Sequence, residues 1–375
     1  MLKSLYIKNF KNIQQLEIQP LKRVNLFWGR NNTGKSTLLE ALSIYASNGD
    51  LGQLYDLLKL RGEDLYAFKS RNNITVDDEI NAFLPLVSHY DKTILSDGEG
   101  IHVGESEEDA IEIGLVRIHT IRVSRNGKKM TRRLITEINK SVSENSVSNF
   151  IALQIKSKAK EFEYHVVLNG QGIQDDGFFE REKVPIGIPF QFVSSKGPQN
   201  IALDQLWSTI SMSKEEEFVV KALRIIEPTI ERFNILSNDR EDDKKRIPYV
   251  RLAGMEKLVR LSAMGDGINR MLQIILAMIN CKGGVFLLDE FENGLHFSVQ
   301  EQLWRIIFDL AEQLNIQVFV TTHSNDCINS FAKVATKSDA LAIRLNLNMG
   351  NRISAQHYES PQDLLFALNN SIELR

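Results

Sequence analysis

An α/β fold, a mixed sheet flanked by helices, is what this sequence predicts, and three stretches predict it. Val24–Trp28 is an apolar run that passes through Gly29-Arg30-Asn31-Asn32-Thr33-Gly34-Lys35-Ser36 into a helical pattern over 36–45. Val285–Leu288 is a second apolar run, and it ends in Asp289-Glu290. Val318-Phe319-Val320 is a third, running into Thr321-Thr322-His323-Ser324. Short apolar runs with polar ends read as strands buried on both faces, as in a parallel sheet covered by helices. In such sheets ligands sit at the carboxyl ends of the strands, where these polar clusters fall.

The first stretch fits G-x-x-x-x-G-K-[ST], and its strand–loop–helix setting is the one the motif requires. Its glycines let backbone N–H groups wrap phosphates, and the helix N-terminus adds partial positive charge. Gly29, Asn31, Asn32, Thr33, Gly34, Lys35, Ser36 and Thr37 are therefore the expected contacts to a nucleoside triphosphate. Lys35 reaches the β- and γ-phosphates, and the Ser36 hydroxyl is a ligand for Mg²⁺. Asp289 is the matching carboxylate for Mg²⁺. Glu290, one residue on, is the expected general base that polarises the attacking water, with Glu292 as the alternative. His323 is expected at the γ-phosphate, where it reports the loss of that group. Catalysis thus falls to Glu290, His323 and Lys35, with ATP and Mg²⁺ as ligands. Leu261-Ser262-Ala263-Met264-Gly265-Asp266-Gly267 is a Gly-rich turn entering the apolar helix 271–279. A Gly-rich helix start is an anion site. Ser262, Gly265 and Gly267 are expected to meet a γ-phosphate held by another subunit.

The order of these parts resembles ABC-type ATPases of the AAA class, in their RecF/SMC/OLD branch. Met1-Leu2-Lys3-Ser4-Leu5-Tyr6-Ile7-Lys8-Asn9-Phe10 is similar to that branch's opening "I-x-N-F" strand. Asp289-Glu290-Phe291-Glu292-Asn293-Gly294-Leu295-His296 is similar to the "DE-x-E-N-G-L-H" form of OLD-like ATPases. The resemblance spans 1–50 and about 185–335. It implies a P-loop NTPase with an ABC-type ATPase head and a β-rich and helical insertion. It also implies ATP hydrolysis and a homodimer or higher oligomer that sandwiches ATP. The output is either control of a partner effector encoded nearby, such as a nuclease in antiphage defence, or RecF-like ATP-dependent DNA binding. Two positions depart from the pattern. The signature reads Ser262-Ala263-Met264-Gly265-Asp266-Gly267, and His296 stands where many relatives carry Asp. For the Gln loop of such ATPases, Gln191 and the Ser194-Ser195 pair are the candidates. The 52 residues after His323 (375 − 323) are too short for a Toprim nuclease domain.

Composition agrees. A chain of 375 residues holds one large or two ordinary domains. The net charge of −3 excludes a generally basic nucleic-acid binder. Two cysteines without metal spacing fit a reducing cytosol, so a cytoplasmic location is expected, and no apolar run is long enough for a membrane span. Four segments are expected: an N-terminal lobe with the phosphate loop (1–75), a β-rich insertion (76–185), a helical segment (186–246) and a C-terminal lobe (247–375). Residues 97–112 read as an exposed acidic loop, 111–170 as antiparallel strands, 200–234 as helical and 238–246 as a charged turn. Within the insertion, Arg117, Arg122, Arg125, Lys128, Lys129, Arg132 and Arg133 crowd around Asn126-Gly127, a hairpin-turn signal. That ribbon either contacts DNA phosphates or is a solvated hairpin.

Overall fold

In chain order the first strands are β1 (Leu5–Phe10), β2 (Ile13–Ile18), β3 (Val24–Trp28), β4 (Ile101–Gly104), β5 (Ile111–Arg125), β6 (Lys128–Glu137), β7 (Ser146–Ser157) and β8 (Phe162–Leu168). They continue with β9 (Phe190–Val193), β10 (Ile230–Ser237), β11 (Arg246–Leu252), β12 (Val259–Arg260), β13 (Val285–Leu288), β14 (Gln317–Thr322), β15 (Ala340–Leu347) and β16 (Ile353–Tyr358). The helices are α1 (Lys35–Ala46), α2 (Leu51–Lys59), α3 (Val76–Phe83), α4 (Lys92–Ser96) and α5 (Leu203–Ile210). They are followed by α6 (Glu216–Ile226), α7 (Asp266–Ile279), α8 (Phe297–Gln313), α9 (Asn325–Val334) and α10 (Pro361–Asn370). This computed structural model describes residues 1–59, 75–125, 128–138, 146–168, 185–195, 203–237, 246–335, 339–348, 350 and 352–370.

The central sheet has the order β16-β15-β3-β14-β13-β9. All its pairings are parallel except that of β16 with β15. Its strands are apolar on both faces because both faces are covered. Phe286 and Leu288 of β13 enter the core on the side of α7 and α8, whereas Val285 and Leu287 enter the core on the side of α1. The carboxyl ends of β3, β9, β13 and β14 lie along one edge, which puts the phosphate loop, Ser194-Ser195, Asp289-Glu290 and Thr321-Ser324 side by side.

A second, antiparallel sheet closes over α1, in the order β2-β1-β4-β5-β7-β8 with β6 on β5. Between two sheets α1 is buried almost all round, from Thr37 to Ala46. The Lys11 ammonium of the β1–β2 turn pairs with Glu40 of α1 at 2.7 Å, both side chains under a tenth exposed. A buried charge is tolerated only when paired, so removing either partner would leave the other stranded. This contact fixes the second sheet to the helix that starts at the phosphate loop.

Two expectations need correction. Residues 97–112 are not one exposed loop: β4 runs through them. Ile101 and Val103 alternate with His102 and Gly104 and are buried where β4 pairs with β1 and β5. The helical pattern of 200–234 stops at Ile226. Pro228 lacks a backbone donor, and Ile230, Phe233 and Ile235 are buried from strand β10. The antiparallel reading of 111–170 matches β5 to β8. The Asn126-Gly127 turn and most of the charged stretch 238–246 lie outside the described residues. Among the described residues no helix is long and apolar enough to cross a membrane.

Candidate functional site

The phosphate loop leaves β3 at Gly29 and enters α1 at Lys35. Gly34 holds φ 86°, a left-handed conformation that glycine adopts without strain. A Cβ on Gly29 would stand 2.4 Å from the Leu345 carbonyl oxygen, so the loop passes too close to β15 for a side chain. Within the loop, Thr33 Oγ1 donates to the Arg30 carbonyl at 2.8 Å, and Asn12 Nδ2 donates to the Asn32 carbonyl at 3.3 Å. Asn31 and Asn32 are exposed, and Thr37 is buried. The N-cap residue of α1 is Gly34, which has no side chain to cap the first turn. Its amides remain available as anion donors.

Lys35 folds back over the loop, donating to the carbonyls of Gly29 at 2.9 Å and Arg30 at 2.8 Å. Burial pushes its ammonium below the usual lysine range, and the carboxylates of Asp289, Glu290 and Glu292 pull it partly back. A buried cation held by neutral carbonyls beside uncapped amides fits a polyphosphate. Asp289 is 4% exposed, yet its carboxylate is satisfied by three hydroxyls. Ser36 Oγ donates to Oδ1 at 3.0 Å, Thr321 Oγ1 to Oδ1 at 2.6 Å and Ser195 Oγ to Oδ2 at 3.0 Å. Ser36 and Asp289 fit Mg²⁺, which takes one or two protein oxygens and completes its shell with phosphate and water. Bound there, Mg²⁺ would neutralise charge on the β- and γ-phosphates.

Glu290 follows with φ 50°, and its amide donates to Thr321 Oγ1 at 2.9 Å. Phe291 then turns inward and stacks on Trp304, with ring centroids 4.3 Å apart, which anchors the loop. Glu292 accepts from Thr322 Oγ1 and from the backbone N–H of His323. His323 stands at the end of β14, about half exposed. His296 caps α8, its Nδ1 accepting from the Ser298 amide at 3.4 Å.

The Gly-rich turn is distant from the phosphate loop in sequence, and it is exposed. Ser262 and Gly265 are exposed, Gly265 has φ 101°, and nothing lies within 4 Å of a Cβ built there. Gly267 is the second residue of α7, whose N-cap residue Gly265 has no side chain to cap it. A Cβ on Gly267 would stand 3.7 Å from the Gly294 carbonyl, so this turn abuts the loop after Glu290.

Three residues of the site have roles that spacing did not reveal. Gln191 pairs with Phe286, short of the strand end, so it is Ser195 that reaches Asp289. Thr321 bridges Asp289 and the Glu290 amide. Arg270 on α7 buries Nε and Nη2 without an acceptor among the described residues, and the Asp289 carboxylate acts on its charge. The signal for the first two was present: hydroxyl residues end both strands that flank Asp289.

The basic ribbon is built from β5 and β6. Arg122, Arg132 and Arg133 are exposed. Arg133 pairs with Thr120 and Arg132 with Ile121, so the two arginines fall on opposite faces. Arg125 and Lys128 are paired at the ribbon's end, beside Ser124 and Lys129.

Two family profiles cover most of the chain. "AAA ATPase domain" matches residues 1–247, and "AAA domain, putative AbiEii toxin, Type IV TA system" matches residues 208–328. An "ATP/GTP phosphatase" of Helicobacter pylori is 25% identical over 358 residues, spanning 90% of either chain. A "DNA replication and repair protein RecF" of Cellvibrio japonicus is 27% identical over 110 residues, 28% of this chain and 29% of that one. An SMC head bound to the C-winged helix domain of ScpA aligns over 95% of this chain and 97% of that one, at 13% identity and TM-score 0.44. An SMC head domain from Thermotoga maritima aligns over 96% and 99%, at 13% identity and TM-score 0.41. The chain belongs to the AAA ATPase domain family and is an ATPase.

Proposed function

We propose that this ATPase is a nucleotide-gated switch in which two copies close around two ATP molecules and open again on hydrolysis. The observation that carries the reading is a pair of uncapped helix starts. The start of α1 lies at the phosphate loop, and the start of α7 follows the exposed Gly265 turn. One chain's α1 holds the triphosphate, and the Ser262-Gly265-Gly267 turn of the other completes the site at its γ-phosphate. Lys35 binds the phosphates, Ser36 and Asp289 hold Mg²⁺, Glu290 takes the proton from water, and His323 reads the γ-phosphate. Residues 1–75 and 247–375, together with Ser195 after β9, then form the nucleotide site, and 76–185 carries the output to a partner. The favoured partner is an effector protein. The family description over residues 208–328 names a toxin system, and a defence role against phage follows from the resemblance.

A second reading, ATP-dependent DNA binding, rests on the exposed Arg122, Arg132 and Arg133 of the ribbon. Duplex DNA that raises turnover, and loses that effect in an R132E/R133E variant, favours it over the effector reading.

Complementation tests the switch. K35A loses its own phosphate site, and G265R puts a charged side chain on the face offered to the partner; space is open there but φ 101° strains any side chain, so an unchanged Tm is required of the variant. Each alone is inactive, and the mixture regains part of the turnover. A G265R chain that hydrolyses ATP at the wild-type rate, independent of concentration, overturns the composite site. E290Q binds ATP, turns over at least ~10²-fold more slowly and stays dimeric for longer.

A further inference from the structure

Three donors converge on one carboxylate beside the nucleotide site. Thr322 Oγ1 donates to Glu292 Oε2 at 2.7 Å, and the His323 backbone N–H donates to Oε1 at 2.9 Å. His323 Nδ1 lies 3.0 Å from the same Oε1. The Glu292 side chain is 14% exposed and that of His323 is 51% exposed, so the carboxylate is inside and the far edge of the ring is outside. An ionised carboxylate has no hydrogen to give. Nδ1 therefore carries one, and in the neutral ring Nε2 is the bare nitrogen.

We infer that Glu292 is a positioning residue for the ATPase reaction. It sets the orientation and tautomer of His323, and it pairs with the imidazolium formed when the exposed Nε2 takes a proton from solvent to donate to the γ-phosphate. The inference rests on the reading of His323 as the γ-phosphate contact. It also separates the two candidate bases. Both Glu292 oxygens are engaged by donors of their own chain, whereas among the described residues no donor is bonded to the Glu290 carboxylate. Glu290 is then the group left to accept the proton of the attacking water, and Glu292 acts through His323. The backbone amide of His323 is held by the same Oε1, so ring and strand end are fixed together. A carboxylate that orients a histidine through Nδ1–H is a general device, and its loss leaves the ring present in the wrong orientation.

Steady-state ATPase assays on the full chain test this with E292A, E292Q, H323A and E292A/H323A, together with ¹⁵N spectra of histidine-labelled protein. E292A lowers kcat by about 10- to 100-fold and leaves KM for ATP within about twofold. E292Q keeps an Oε1 acceptor and falls between E292A and wild type. The double variant is no slower than H323A, because residues that act as a unit are not additive. The wild-type spectrum shows His323 as the Nδ1–H form, and E292A loses that signature. If H323A turns over like wild type, the reading of His323 at the phosphate falls, and the inference falls with it. If H323A is slow but E292A is not, or if the two losses multiply, the inference alone is overturned. Should E292A fail to fold, E292Q decides: wild-type kcat with unchanged ring-nitrogen shifts removes the role.

Discussion

Thr321 and Asp289 are joined by a 2.6 Å hydrogen bond that ties the carboxyl ends of two neighbouring strands, β14 and β13. The same hydroxyl accepts the amide of Glu290, a non-glycine residue at φ 50°. Left-handed backbone at such a residue costs on the order of 1 kcal/mol and persists only where its surroundings fix it. One threonine therefore both shapes the carboxylate proposed to hold magnesium and pins the turn that presents the proposed base.

T321V keeps the β-branched shape but removes the hydroxyl. It is expected to lower kcat by about 10- to 100-fold, as losses of groups that orient catalytic ligands do. Stability falls by about 1 kcal/mol as the Glu290 amide loses its acceptor. T321S restores most of both. Steady-state kinetics and denaturant unfolding check it, and a T321V chain with wild-type kcat removes this role from Thr321.

Ser195 is expected to matter for the metal more than for the nucleotide. S195A frees Asp289 Oδ2 from its donor, so the carboxylate is less well oriented. A magnesium titration of turnover should show the half-saturating concentration raised about tenfold, with little change in KM for ATP at saturating metal. An unchanged titration would separate Ser195 from the metal site.

Proton uptake should accompany ATP binding on the alkaline side. In the free protein Lys35 is held below its usual range by burial. Bound phosphates reverse that shift, so over pH values between the lowered and the restored pKa the complex carries one more proton than the free chain. Affinity for ATP therefore declines as pH rises through the lowered Lys35 pKa, earlier than an ordinary lysine at about 10.4 would cause. The sign for stability is opposite. Without ATP, the penalty for burying the charged form is full below the folded pKa and is relieved as pH rises toward the unfolded one. Calorimetry in two buffers of different ionisation enthalpy measures the uptake, and K35R, which does not titrate in this range, abolishes it.

Gly284 links packing to the site. A Cβ there would stand 1.8 Å from the Pro189 carbonyl oxygen, the acceptor of the Val285 amide at the start of the β13–β9 pairing. G284A is expected to destabilise the chain by about 1–3 kcal/mol and to push β9 outward. Because Ser195 follows β9, the Mg²⁺ dependence should weaken along with Tm. A G284A protein with wild-type Tm would show that β9 gives way freely.

What the sequence made legible is what the chemistry constrains locally. The phosphate loop, the Asp289-Glu290 strand end and the Thr321-Ser324 strand end each carry their own pattern, and the parallel sheet follows from three apolar runs. The partnerships between them were not legible, because Ser195, Asp289 and Thr321 meet only through strand order. No local period specifies that β9 and β14 flank β13. The strand inside 97–112 was hidden for a different reason: acids on both sides of Ile101 and Val103 dominate the composition, while two buried side chains set the structure. The helical reading failed beyond Ile226 because Ile230, Phe233 and Ile235 fit either period until Pro228 is given weight.

The long strand β5 gives the second sheet its reach. It starts beside β4, against which α1 packs, and runs for 15 residues to Arg125. At about 3.3 Å per residue that is a span of ~50 Å, so a tilt of ~5° at its base displaces the far end by about 4 Å. The buried Lys11–Glu40 pair keeps the fulcrum stiff. If the strand moved as one piece, a small rotation of the helix that carries the phosphate loop would displace the arginine-bearing tip by about the length of a side chain.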